Sequence, residues 1–294
     1  MQLLITGATG NVGQHVVELL EGTDHQVRVA SRSVTGASPA AANVSAVKFD
    51  FLEPSTFEAA FQGVERMFLV RPPALGDVKR QIVPALQAAN RAGVKQVVFL
   101  SLFGAEKNAW TPHRQIETFL ESSSLQWTFL RASFFMQNLN TTHRPEVMER
   151  DEIFVPAGRG KTSFVDARDL AAVAAKALTE PGHKSRAYDL TGSQALDYFE
   201  VAQIFREMLD RPIRYANPGW WRFARRMRQR GLAWSYIVVM IGIYTTARLG
   251  WAGRVSPELE QLLGRPPITM RLFVEDHARV WQRSSGSPAG DAAL

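Results

Sequence analysis

The stretch Thr6-Gly7-Ala8-Thr9-Gly10-Asn11-Val12-Gly13 decides how this chain is read. It follows an apolar run, Leu3-Leu4-Ile5, and opens a segment in which Val12, Val16, Leu19 and Leu20 fall at i, i+4, i+7 and i+8, one stripe of a helix, with Gly22 as its stop. A strand, a glycine turn and a helix in that order make an anion site. Without side chains the backbone can approach a pyrophosphate closely, and the first helical N–H groups and the positive end of the helix dipole face it. The spacing is Gly-x-x-Gly-x-x-Gly rather than Gly-x-Gly-x-x-Gly, so it is the strand–turn–helix context that assigns Gly7, Gly10 and Gly13 to a dinucleotide.

Outward from that loop, short apolar runs alternate with helical periods over the first 190 residues. Seven strands are expected at 2–6, 26–30, 44–49, 66–70, 96–101, 126–131 and 186–190, a rhythm that predicts an α/β protein with a doubly wound parallel sheet. From about Tyr198 the pattern becomes helical, at 199–209, 220–230, 232–249, 257–263 and 270–283. The expected division is a nucleotide-binding domain at 1–195 and a smaller, mostly helical substrate lobe at 196–283, which can also draw on 134–160. A disordered tail of Ser, Gly, Pro and Ala is expected at 284–294. The run 232–249 is too short and too interrupted for a membrane span, and with no leader pattern at Met1 a cytoplasmic protein is expected.

The end of the second strand sets the choice of cofactor. A carboxylate there would hold the ribose hydroxyls of NAD, but the sequence has Ser31-Arg32. A guanidinium pairs with a 2′-phosphate and a hydroxyl can donate to it, which favours NADPH (NADP+) over NADH. Asp50-Phe51, ending the third strand, offer an adenine-edge acceptor and an apolar cover, or a helix-entry loop.

The 294 residues hold no Cys, which excludes a disulfide framework, thiolate metal sites and a cysteine nucleophile; no metal site is assigned. The net charge is +6, yet between Asn217 and Arg254 stand seven arginines and no acidic residue, so the remainder is near neutral. No nucleic-acid motif accompanies the cluster, and a nucleic-acid partner is not expected. Trp220, Trp221 and the arginines of 222–230 read first as a solvated helix face near a pocket mouth. Peripheral contact with an anionic membrane is the second reading.

With these residues in place the sequence resembles the NmrA-like branch of the atypical short-chain dehydrogenases/reductases, especially quinone oxidoreductase-like members. The resemblance runs to about Trp281 and rests on the glycine loop, Phe99-Leu100-Ser101, His113-Arg114-Gln115-Ile116-Glu117, 130–138, 164–170 and Leu263-Gly264-Arg265-Pro266-Pro267. It implies a Rossmann sheet with a small lobe closing over the nicotinamide. It implies Thr9, Asn11, Val12, Val70, Arg71, Ser101 and Phe134 as further cofactor residues, beside Gly7, Gly10, Gly13, Ser31, Arg32, Asp50 and Phe51.

Most short-chain dehydrogenases protonate substrate oxygen with the Tyr of a Tyr-x-x-x-Lys helix. All five tyrosines here lie at Tyr188 or later and none has Lys four residues on. Where that helix is expected, His113 and, one turn later, Glu117 share a face. The pair suits either a proton donor held by a carboxylate or a local structural contact. A quinone that accepts hydride becomes a stable hydroquinone anion and needs no strong acid, so the expected partner is a small aromatic or quinone-like substrate. Phe134, Phe135, Met136, Trp220, Trp221, Ile237, Met240, Ile241 and Tyr244 supply apolar lining, or simply core, and Asn138 is the polar candidate. A non-catalytic NADP(H) sensor and a reductase tailoring a secondary metabolite are the competing expectations, and a homo-oligomer is left open.

Overall fold

The computed structural model describes residues 1–33 and 41–282; the tail expected at 284–294 lies outside the described residues. The strands are β1 (Gln2–Ile5), β2 (Gln26–Ser31), β3 (Val44–Lys48), β4 (Arg66–Leu69), β5 (Gln96–Leu102), β6 (Gln126–Ala132), β7 (Glu152–Ile153), β8 (Arg186–Leu190) and β9 (Arg214–Tyr215). The helices are α1 (Gly13–Leu20), α2 (Phe57–Phe61), α3 (Val78–Gln81), α4 (Val83–Arg91), α5 (Pro112–Glu121), α6 (Arg144–Arg150) and α7 (Ala167–Thr179), followed by α8 (Tyr198–Leu209), α9 (Trp220–Gln229), α10 (Trp234–Arg248), α11 (Glu258–Leu263) and α12 (Met270–Asp276).

All seven expected strands are present, and they pair in parallel in the order β3-β2-β1-β4-β5-β6-β8. Their apolar runs are buried: Leu3, Leu4 and Ile5 of β1 and Val97, Val98 and Phe99 of β5 are sealed from solvent, as strands covered on both faces must be. The order reverses at β1, whose neighbours are β2 and β4, and this is the switch point of a doubly wound Rossmann sheet, where such folds bind ligands beyond the strand ends. The loop 6–13 leaves β1 at that point. In α1 the expected stripe holds for Val16 and Leu20, but Leu19 is half exposed.

The chain divides into two compact units, crossing between them after Ser133, Asp166, Thr191, Val255 and Pro267 rather than once near 195. The first holds the large sheet; 256–267, including α11, belongs to it. There Lys176 of α7 donates to the Leu262 carbonyl at 2.7 Å and Arg265 pairs with the buried Asp169 at 2.7 Å. The second comprises 134–166, 192–255 and the chain from 268. It is mostly helical, with the short parallel pair β7–β9 and a core in which Phe154, Phe205, Phe223, Phe273 and Trp281 are fully buried. Its helix α8 starts on a capping box between Asp197 and Glu200. Among the described residues no helix is long and apolar enough to cross a membrane.

Candidate functional site

In the first unit the glycine loop is built from its backbone outward. Thr6 Oγ1 donates to the Phe68 carbonyl at 3.0 Å and accepts from the Val70 N–H at 2.8 Å, tying the end of β1 to β4. Gly7 has φ +65°, and a Cβ on it would lie 2.8 Å from Val70 Cβ. The Gly10 N–H donates back to the Gly7 carbonyl at 2.9 Å. A Cβ on Gly13 would stand 2.2 Å from that same oxygen, so only glycine lets α1 start this close to the turn. No side chain of the described residues caps α1. Among the described residues the N–H groups of Asn11, Val12 and Gly13, and the side chains of the exposed Thr9 and the half-buried Asn11, have no hydrogen-bond partner. An uncapped helix start with several open donors beside a cradle free of side chains fits a pyrophosphate.

At the end of β2 the Ser31 hydroxyl turns onto Ser33, donating to its carbonyl at 2.7 Å. Arg32 is exposed and has no hydrogen-bond or ion-pair partner among the described residues, which suits a guanidinium awaiting a phosphate. After β3 the Asp50 carboxylate accepts the Leu52 N–H at 2.9 Å. Phe51 is buried edge-on against Phe49, with ring centroids 4.8 Å apart. Both thus serve the loop's own structure, with Asp50 half-buried. Arg71, after β4, gives one guanidinium nitrogen to the carbonyls of Pro72, Pro73 and Leu75, while its buried Nε has no partner among the described residues.

His113 and Glu117 lie on α5, which begins with Pro112 behind the cap Thr111. The structure separates the two roles. Glu117 is fully buried and accepts from Ser101 Oγ at 2.7 Å, from Arg131 Nε and Nη2 at 3.0 and 2.9 Å, and from Arg114 at 3.1 Å. Burial pushes its carboxyl up, and the hydrogen bonds from Arg131 and Ser101 outweigh that and hold it below the usual carboxylate value. It is not the hydrogen-bond partner of His113, a correction to the pairing that the helical spacing suggests. Arg131 is the residue the sequence reasoning missed; its signal was an arginine directly after the apolar pair Phe129-Leu130 of a strand. The His113 ring stacks on Phe99 with centroids 6.0 Å apart. Burial, aided by the charge of Arg71, lowers its pKa to about 4, so it is neutral near pH 7 and offers an N–H rather than an acidic imidazolium.

The other candidates belong to the second unit. The backbone of Phe134 and Phe135 pairs with Val165. The Asn138 side chain is half-buried with no hydrogen-bond partner among the described residues. Met240 and Tyr244 are packed in the core, where the Tyr244 hydroxyl is hydrogen-bonded to the buried His143. His143 was not singled out from sequence. Burial, with the Arg230 charge, lowers its pKa to about 3 and keeps it neutral. Trp220 is half exposed. The arginine cluster is not a uniformly solvated face: Arg226 binds the buried Glu152 at 2.8 Å and lies 3.4 Å over the Phe154 ring, and Arg230 binds the buried Glu146 at 3.0 Å.

The parallel sheet, its switch point and the glycine loop define a Rossmann-type dinucleotide-binding protein. The chain belongs to the NmrA-like family, whose model matches residues 1–219. It is 34% identical over 94% of its length to the NAD(P)H azoreductase of Xenophilus azovorans, covering 98% of that protein. Among solved structures it is similar to an NADPH-dependent quinone oxidoreductase of Escherichia coli in complex with NADPH, with TM-score 0.84, 26% identity, and 94% and 99% of the two chains covered. It is also similar to the triphenylmethane reductase of a Citrobacter species, with TM-score 0.85, 25% identity, and 95% and 100% covered.

Proposed function

We propose that this oxidoreductase binds NADPH in preference to NADH and passes its hydride to a quinone or similarly conjugated acceptor. The observation that carries the reading is the open glycine cradle at the switch point, with Arg32 free of partners among the described residues and no carboxylate at the end of β2. The N–H groups of Asn11, Val12 and Gly13 hold the pyrophosphate, and Arg32 takes the 2′-phosphate. When bound, the nicotinamide supplies hydride. Val70, Arg71, Ser101 and Phe134 are assigned to the nicotinamide half, with Ser101 fixed by Glu117. His113, kept neutral, orients acceptor oxygen by donating an N–H and does not act as a strong acid. A quinone tolerates this because its reduced anion is stabilised by the ring and takes a proton from water afterwards. Phe135 and Asn138 are assigned to hold the acceptor, the first by apolar contact and the second through its open amide. Trp220, Met240 and Tyr244 shape the apolar surroundings.

The same azo and triphenylmethane dye chemistry that names two of the relatives also needs a conjugated acceptor in place of an isolated ketone, which supports the reading. The test follows NADPH consumption over a panel of quinones, azo dyes and simple ketones. Turnover with the conjugated acceptors and none with ketones is expected. Tight NADPH binding with no turnover on any acceptor would assign the chain to the sensor class instead.

A further inference from the structure

In the second unit α9 and α10 leave an apolar surface that folding does not use. On α10, Ile237, Met240, Tyr244 and Ala247 face the core at i, i+3, i+7 and i+10. A helix with one such stripe should be polar opposite it. Instead Trp234, Val238, Val239 and Ile243 are exposed, Val238 by 63% and Val239 by 56%. On α9 the exposed residues Trp221, Arg225 and Arg228 share one face at i, i+4 and i+7, and Trp221 is 85% exposed. With Trp234 they line an open cleft of about 440 Å³. Large apolar side chains left exposed in such number on two successive helices mark a contact that the isolated chain lacks.

Charge says what the contact is. Among the described residues, the carboxylates of this unit that pair with α9 and the turn after it, Glu152 and Glu146, are already bound by Arg226 and Arg230. Arg225 keeps no partner among the described residues, and 217–254 contains no carboxylate. A second copy pairing through this face about a two-fold axis would set the same arginines against each other, which is unfavourable. An anionic bilayer takes every component: valines and isoleucine enter the acyl boundary, indoles sit at the headgroup level, and guanidiniums meet lipid phosphates.

We propose that the exposed face of α9 and α10 docks on the surface of an anionic bilayer, lying on it without spanning it. The docking does not depend on which acceptor the enzyme reduces. The test uses the full chain with vesicles of phosphatidylcholine alone or mixed equally with phosphatidylglycerol, at low salt. Sedimentation with the anionic vesicles, a blue shift of tryptophan emission and release by high salt are expected. Arg222→Glu/Arg225→Glu and Trp221→Ala/Trp234→Ala should each weaken binding roughly tenfold or more while leaving the circular dichroism of the free protein unchanged, because these side chains are exposed. Failure of the wild type to sediment with anionic vesicles would overturn the proposal, as would variants that bind like the wild type. A dimer in light scattering that Val239→Arg dissociates, without vesicle binding, would assign the face to a second copy.

Discussion

Arg131 closes a two-pronged hydrogen bond on Glu117, with Nε at 3.0 Å and Nη2 at 2.9 Å from its two oxygens. This spends the one carboxylate on α5 that stood a turn from His113, and it makes the pair structural. Glu117→Gln leaves Arg131 and Arg114 facing a neutral amide in a buried setting, and a loss of about 3 kcal/mol in urea unfolding is expected. The Glu117 carboxyl is held below its ordinary value, so its stabilisation is complete above about pH 5 and is lost as pH falls through the lowered value; Glu117→Gln should remove that part of the acid slope. Equal stability of the two proteins at pH 7 would contradict the assignment.

A Cβ at Gly13 would stand 2.2 Å from the Gly7 carbonyl oxygen, whereas one at Gly10 would meet it at 3.2 Å. Gly13→Ala must push α1 off the turn, and Gly10→Ala need move it little. Thermal unfolding with and without NADPH should show Gly13→Ala destabilised and its nucleotide-induced shift nearly abolished, with Gly10→Ala retaining most of both. A full NADPH shift in Gly13→Ala would remove the loop from the site.

Among the described residues Arg32 has no hydrogen-bond or ion-pair partner to lose. Arg32→Ala should therefore leave stability unchanged and raise the KM for NADPH about 10- to 100-fold, the worth of a charge-assisted phosphate contact, while that for NADH changes less than about twofold. Equal losses for both nucleotides would show that Arg32 does not read the 2′-phosphate.

His113 is neutral above its pKa of about 4. The rate of the wild type should thus carry no imidazole titration between about pH 6 and 8, and His113→Ala should lower kcat at every pH in that range by a similar factor. The folded protein binds fewer protons here than the unfolded chain, so the contribution of His113 to stability falls as pH drops from about 6.5 to about 4. A rate that titrates near 6.5 in the wild type and not in His113→Ala would restore an acid role.

Strands buried on both faces announce themselves as runs such as Val97-Val98-Phe99, and the glycine turn after β1 fixes the direction of the sheet, so the Rossmann half was legible in the sequence. β7 and β9 were not: two residues each carry no periodicity, and they pair across some 60 positions. Nor were the repeated crossings between units, because nothing local in 256–267 says that Glu258 and Arg265 reach β8 and α7. At the site, spacing placed His113 and Glu117 on one helix correctly but could not show that Arg131, on a neighbouring strand, competes for the carboxylate. The arginine cluster was misread in part for the same reason, since Glu146 and Glu152 lie far from Arg230 and Arg226 in sequence.

Titration calorimetry of the full chain with NADPH asks most directly whether the loop from Thr6 to Gly13 grips a phosphorylated dinucleotide. Saturable one-site binding, weaker for NADH and lost in Gly13→Ala, is the result predicted. No heat with any nicotinamide nucleotide would contradict the account.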